Sequence, residues 1–314
     1  MHKNKSSRFL IKLLLILLIL MNGIAFMHAY KFTHFSTSAL TKTAGSRLTT
    51  TDKVRVLFTG IDQPKPRNGQ LPSSPFETIE LKSNKKIQCW LIRTGAAKGT
   101  IILFHGYGGE KSSMLDKAEV FLNMGYNTLL VDFMGAGGSE GTQTTIGYKE
   151  AEEVRTCYEF LRSQGESNIH LFGTSMGAVA IMRAISEYQL QPASIMIECP
   201  FGSMYKTVVA RFRMFGVPAF PMAGLLLFWG SVQNGFWAFA HNPATYAQEI
   251  KCPTLLLYGE QDPKVNREEI DEIYGNLKGK KQLVTYPLAG HENYLLQYEA
   301  EWKRDISSFL KALE

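Results

Sequence analysis

This chain of 314 residues is poor in several things, and each shortage removes a class of function. Cysteine is scarce: Cys89, Cys157, Cys199 and Cys252 are widely spaced, form no CxxC pair and have no histidine at metal-ligand spacing. That excludes a disulfide-dense scaffold and the usual zinc ribbons. The four read as mostly buried free thiols, with a disulfide in an oxidising compartment as the other reading. Basic charge is not massed on the body. Of a formal net charge of +6, Lys3, Lys5, Arg8 and Lys12 sit at the extreme N-terminus, so no nucleic-acid partner is expected. Compositional bias is also missing. At 45% hydrophobic and 20% charged residues the chain is neither disordered nor collagenous, and no internal repeat points to a solenoid. What is left is an ordinary globular chain with room for a sizeable core.

One hydrophobic run is long. The basic start MHKNKSSRFLIK is followed by LLLILLILMNGIAF, with no polar face to break it. A positive n-region before such an h-region marks a secretory signal or a membrane anchor, and the segment is long enough to cross a bilayer core of ~30 Å as a helix. Gly23 and Ala25 are small residues placed for cleavage, and Ala29 is a second candidate. The protein is therefore expected to be exported, either anchored in a membrane or released to a periplasmic or extracellular space.

Residues 1–28 thus read as a signal peptide or anchor, residues 29–75 as a connecting arm ending in the turn-rich QPKPRNGQLPSSP, and residues 76–314 as one domain. The domain opens with a hairpin turning at Ser83-Asn84. Apolar strand runs then alternate with amphipathic stretches: TIILF, NTLLVD, NIHLFG, ASIMIE, PTLLLYG and KQLVTY, with a final helix expected from Tyr294 to Leu313. Strands that are apolar throughout and alternate with helices imply an α/β fold, a mostly parallel sheet covered on both faces. The rhythm breaks once, over 200–250, which reads as a cap insertion rich in Phe, Leu and Trp.

The chemistry centres on Gly173-Thr174-Ser175-Met176-Gly177. A nucleophilic serine needs an exposed Oγ, a base within reach, and backbone N–H groups where an oxyanion forms. A tight strand-to-helix turn gives the exposure, and glycines at ±2 leave room for neighbouring backbone. Of seven histidines, His291 stands after the last strand in a loop opening the final helix, where α/β ligand sites form. His170 reads as a core residue and His241 as a surface or lid residue. The acid expected between serine and base is Asp262, just past a buried strand, with Glu260 and Glu198 as rivals. The order Ser175, Asp262, His291 suits this chemistry.

With these motifs the chain resembles the α/β-hydrolase superfamily from about residue 76 onward. Phe104 to Gly109 (FHGYGG) looks like the family's His-Gly oxyanion loop, and Asp132 to Gly141 (DFMGAGGSEG) like its DxxGxGxS loop, with Met134 where many members carry Arg. The stretch Glu198-Cys199-Pro200-Phe201 and the late Gly-His-Glu look closest to the serine-aminopeptidase-like and monoglyceride-lipase-like branch. The resemblance implies an α/β-hydrolase fold with a helical cap, a Ser175-Asp262-His291 triad, and oxyanion donors at the N–H groups of Tyr107 and Met176. No metal or cofactor is implied. The expected activity is cleavage of carboxylic esters through an acyl-enzyme, on a small-molecule ester or a lipid such as an acylglycerol or lysolipid. A peptidase or amidase using the same triad is the alternative, and a non-catalytic binding protein a third. The absence of acidic residues from Gly202 to Ala247 counts against a cap that holds a substrate's amino group.

Overall fold

Where the apolar runs are unbroken, strands form, and they are buried on both sides. In this computed structural model, which describes residues 3–38 and 50–314, the hairpin is β1 (Phe76–Lys82) and β2 (Lys86–Ile92). It is followed by β3 (Thr100–Phe104), β4 (Asn127–Asp132), β5 (Ile169–Thr174), β6 (Ser194–Glu198), β7 (Thr254–Gly259) and β8 (Lys281–Tyr286). They build one eight-stranded sheet in the order β1-β2-β4-β3-β5-β6-β7-β8. β1 and β2 pair antiparallel, as do β2 and β4, and every other pairing is parallel. Every residue of β3, β4, β6 and β7 is buried, whereas edge strand β1 exposes Glu77, Glu80 and Lys82. Charge on an open edge discourages pairing with another chain.

The period-2 alternation of side chains divides the core. Ile102 and Phe104 of β3 face one layer and Ile101 and Leu103 the other. The first layer is closed by α4 (Glu150–Ser163), α5 (Met176–Tyr188) and α9 (Arg267–Asn276), through Val154, Val179 and Ile273. The second is closed by α3 (Leu115–Asn123) and α11 (Glu299–Lys311), through Phe121 and Trp302. Full burial of each such side chain contributes ~1.5–3 kcal/mol. The run expected as one helix from Tyr294 is two, α10 (Tyr294–Gln297) and α11, because Tyr298 leaves helical geometry (φ −127°, ψ 50°). Its hydroxyl accepts the Leu288 N–H (2.9 Å) and its ring lies 5.0 Å from that of Tyr286.

The N-terminal apolar run is a single helix, α1 (Lys3–Thr33), and the stretch read as an arm carries a second, α2 (Thr50–Thr59); the arm's residues 39–49 lie outside the described residues. Between β6 and β7 the insertion folds as α6 (Met204–Met214), α7 (Met222–Asn234), α8 (Pro243–Tyr246) and two short turns. Pro218 and Pro221 separate α6 from α7, as residues without an N–H must. His241, expected as a surface or lid residue, lies in the insertion but is fully buried. Its Nε2 lies 3.0 Å from the Ile146 carbonyl and its Nδ1 3.0 Å from the Tyr246 hydroxyl, among Tyr148, Phe201 and Phe236. Burial pushes its pKa down to about 4.

Candidate active site

The residues singled out by motif lie at or beyond the carboxyl ends of the parallel strands β3, β4, β5, β7 and β8. β5 passes into α5 at Ser175, whose backbone is held at φ 53° and ψ −109°. Positive φ is unfavourable for a residue with a Cβ, so the surroundings must impose it. The Ser175 N–H donates to the Glu198 carbonyl (2.8 Å), and its own carbonyl accepts from Val179 N–H (3.1 Å). The flanking glycines are steric necessities. A Cβ on Gly173 would stand 2.5 Å from the Gly177 carbonyl carbon, and one on Gly177 would stand 2.3 Å from the Phe104 carbonyl oxygen.

The loops after β7 and β8 are bonded to one another. Glu260 N–H donates to Tyr286 O (3.0 Å) and Gln261 N–H to Ala289 O (2.9 Å); a Cβ on Gly259 would collide with Ala289 O at 2.5 Å. This cross-bonding brings Asp262 to His291. The His291 Nδ1 lies 2.6 Å from Asp262 Oδ2, and its Nε2 lies 2.9 Å from Ser175 Oγ. The second carboxylate oxygen accepts N–H groups from Lys264 (2.7 Å) and Val265 (3.1 Å). A carboxylate has no proton to give, so Nδ1 carries the ring hydrogen and Nε2 is left to accept from the serine hydroxyl.

Burial works against a charged His291 ring, but the Cys199 sulfur and the Asp262 carboxylate outweigh it and raise the pKa above the ordinary histidine value. A base must be unprotonated to act, so activity should fall as pH drops through that raised pKa. The acid limb of kcat/KM is expected above ~6.5, the free histidine value, and to move toward lower pH in Asp262→Asn. A limb at or below 6.5 in the wild type would contradict the arrangement. Cys199, which the sequence reads as a buried free thiol without a role at the site, is free and buried. It directly follows β6 at φ 41°, and its sulfur, the Asp262 carboxylate and the His291 ring have donor atoms within 4.8 Å of one another. Among the described residues this is the one trio that could ligate a metal ion, and a metal there would take the ring nitrogen away from its present partners.

On the far side of the serine lies the His105-Gly106-Tyr107 loop. A Cβ on Gly106 would sit 3.4 Å from Thr174 O and 3.7 Å from Ser175 Cβ. The buried His105 ring fixes this loop: its Nδ1 lies 2.8 Å from Gly106 O, and its Nε2 accepts the Phe133 N–H (3.2 Å). Burial lowers its pKa, which keeps it neutral for both roles. Met176 is the first residue of α5, where backbone N–H groups have no partner inside the helix. Met176 thus directly follows Ser175 in the chain, and Tyr107 directly follows Gly106, the loop residue that packs on Ser175.

The other acidic residues have structural partners. Glu198, a rival for the acid, accepts from Trp302 Nε1 (2.8 Å) and Thr174 Oγ1 (2.9 Å) and pairs with the buried Lys117 (3.3 Å). Lys117 also donates to Asn293 Oδ1 (2.8 Å), two residues beyond His291, and so fastens that loop to α3; no short motif announces this link. Glu260, the nearer rival, is exposed. Asp132 organises the glycine-rich loop: it accepts from Gly138 N–H (2.8 Å), Lys111 N–H (2.6 Å), Asn68 (2.9 Å) and the Lys111 ammonium. Gly137, at φ 47°, has no room for a Cβ against that carboxylate. Met134 is buried, and its N–H donates to Glu153 (2.9 Å). His170 is a core residue, 2.8 Å from Ser194 Oγ, with its pKa pushed by burial to about 4.

Residues 95–234 match the family model described as serine aminopeptidase, S33. The chain is similar to the uncharacterized protein YqkD of Bacillus subtilis, 23% identical over 67% of this chain and 70% of that protein. It is also similar to the lysophosphatidylserine lipase ABHD12 of Macaca fascicularis, 24% identical over 57% of this chain; the match spans only 46% of that longer lipase. Among solved structures, an esterase from Pyrococcus furiosus superposes with a TM-score of 0.66 at 26% identity, covering 79% of this chain and 98% of the esterase.

Proposed function

We propose that the chain, which has the fold of the α/β-hydrolase esterases, is a serine hydrolase cleaving carboxylic esters through an acyl-enzyme. The observation that carries the proposal is the unbroken line of hydrogen bonds from Ser175 Oγ through His291 to Asp262. Ser175 Oγ attacks the acyl carbon while His291 Nε2 takes its proton. Asp262 keeps the imidazole in that tautomer and stabilises the cation that forms. The Tyr107 and Met176 N–H groups receive the developing oxyanion, each donor worth ~3–4 kcal/mol in such sites. The imidazolium then protonates the leaving alcohol, and water activated by the same base releases the acid.

A lipid-like ester is the favoured substrate. The cap has no acidic residue from Gly202 to Ala247 that could hold an amino group, whereas Lys206, Arg211 and Arg213 lie in the same span. Its apolar residues divide into two sets. Leu227 is buried and Trp229 packs on Phe26, so these hold the cap together. Phe215 (79% exposed), Phe220 (86%) and Trp237 (57%) are turned outward, where an acyl chain or a bilayer can meet them. Esterase and lipase relatives support the same class. Membrane attachment through the first half of α1 fits too, since the apolar side chains from Phe9 to Leu20 stand exposed.

Burying each substrate CH₂ contributes ~0.8 kcal/mol at most, so kcat/KM should rise severalfold per two carbons until the apolar surface is used up. The test is a p-nitrophenyl ester series from acetate to dodecanoate, run with a peptide p-nitroanilide series. The expected outcome is a rising slope for wild type, a flattened slope for a variant with Phe215, Phe220 and Trp237 changed to Ser, and little anilide cleavage. A flat wild-type profile would remove the lipid reading, and faster anilide than ester cleavage would replace it with a peptidase.

A further inference from the structure

The N-terminal helix has two unlike halves. From Phe9 to Leu20 its apolar side chains stand 46–71% exposed. From Asn22 onward the helix is part of the folded domain. Ala25 and Ala29, one turn apart, are buried at 0% and 5% exposure. Trp229 Nε1 donates to Asn22 Oδ1 (3.1 Å), the Phe26 ring meets Trp229 edge-on at 5.3 Å, and Gln233 donates to the Phe26 carbonyl (2.9 Å). Asn234 donates to Thr33 Oγ1 (3.3 Å). Partners on the two helices advance together, so α1 and α7 run side by side in the same direction. Past the helix, Phe35 N–H donates to Thr142 O (2.6 Å), Thr144 N–H donates to Thr33 O (2.9 Å), and His34 bridges to Gln143.

This packed half ends on the oxyanion loop. The Tyr107 hydroxyl donates to the Phe32 carbonyl (2.8 Å). Its ring stacks on Phe32 at 4.8 Å and lies 5.8 Å from that of Phe35, while the Arg211 guanidinium of the cap lies over the Phe32 ring at 5.1 Å. Tyr107 is the residue whose N–H we assign to the oxyanion, so its side chain ties to the anchor the loop whose Gly106 packs on Ser175.

We propose that α1 is a permanent part of the enzyme, and that its last turns position the oxyanion loop through the Tyr107 side chain. The segment that fixes the protein to a bilayer then also sets the geometry of the oxyanion hole, and Phe32 is a positioning residue. Cutting after Ala25 or Ala29 would leave the remaining turns as a short helix at a chain end, which is marginal by itself. It would also strip Asn22 from Trp229. The inference rests on the serine-hydrolase reading, because an oxyanion hole matters only to that chemistry.

The test uses the full-length protein isolated from membranes in detergent, and its variants Phe32→Ala, Phe32→Tyr and Tyr107→Phe. The mass of the isolated chain reports its first residue. Steady-state kinetics on a soluble butyrate ester separate kcat from KM, and a trifluoromethyl ketone, which forms a tetrahedral adduct with the serine, reports the oxyanion hole itself. Losing a whole donor costs 10²–10³-fold in kcat, so a displaced one should cost roughly tenfold in Phe32→Ala and about threefold in Tyr107→Phe. KM should hold, ketone affinity should fall in step with kcat, and Phe32→Tyr should restore both. A chain that starts before Asn22 supports retention; one starting at Asn22 or later overturns it. Unchanged kcat and ketone affinity in Phe32→Ala would reduce the contact to packing, even if its melting temperature dropped. A wild type that neither hydrolyses the ester nor binds the ketone would instead sink the hydrolase reading.

Discussion

Changing Ser175 to alanine is expected to abolish ester hydrolysis and fluorophosphonate labelling while leaving the fold intact. The size of the loss follows from what Oγ does. Without it there is no acyl-enzyme, and removing the nucleophile of a comparable triad costs ~10⁶-fold in kcat. The fold should survive because the turn is held by backbone. The N–H at position 175 still donates to the Glu198 carbonyl, and the carbonyl still accepts from Val179. Alanine suffers at φ 53° much as serine does, so the strain is not increased. Thermal unfolding beside the kinetics checks both halves. Hydrolysis or labelling that persists in a folded Ser175→Ala protein would place the nucleophile elsewhere.

The next largest effect is expected at Asp262. With asparagine there, an amide N–H replaces one acceptor oxygen, and His291 is free to turn its hydrogen toward the serine. A loss of ~10⁴ accompanies that change in the best-characterised triad, and a loss of that order is expected in this protein. Glu198→Gln is the comparison that gives the number meaning. Glu198 pairs with Lys117 in the core, so its neutralisation leaves a buried ammonium uncompensated and should destabilise the protein by ~3–5 kcal/mol. It should do so with kcat, per folded molecule, within about tenfold of wild type. The opposite pattern, an active Asp262→Asn beside a dead but folded Glu198→Gln, would transfer the role of the acid.

These two carboxylates also illustrate how far the sequence could be read. Glu198 ends one buried strand and Asp262 follows another, and both lie between the serine and the histidine in the chain. Asp262 was preferred on order and loop position, and it stands 2.6 Å from His291. What occupies Glu198 could not be read, since Trp302, Thr174 and Lys117 come from three distant segments. The strand runs and the Gly-Thr-Ser-Met-Gly turn were legible because period-2 burial and steric exclusion act within a few residues. His241 was misjudged for the converse reason. Its burial depends on Ile146 and Tyr148, which the chain delivers from far away. The N-terminal helix is the plainest case. Its apolar run looks uniform, yet half of it is exposed and half packs on α7, and only a polar Asn22 and two small alanines hint at where the change occurs.

The central claim is that Ser175 carries the acyl group. Its most direct test is peptide mapping of the full-length protein after partial reaction with a fluorophosphonate, read against residual hydrolysis of a butyrate ester. The account predicts one adduct, on the peptide containing Ser175, with activity lost in proportion to its occupancy. An adduct on any other residue, or undiminished hydrolysis with Ser175 fully modified, would contradict it.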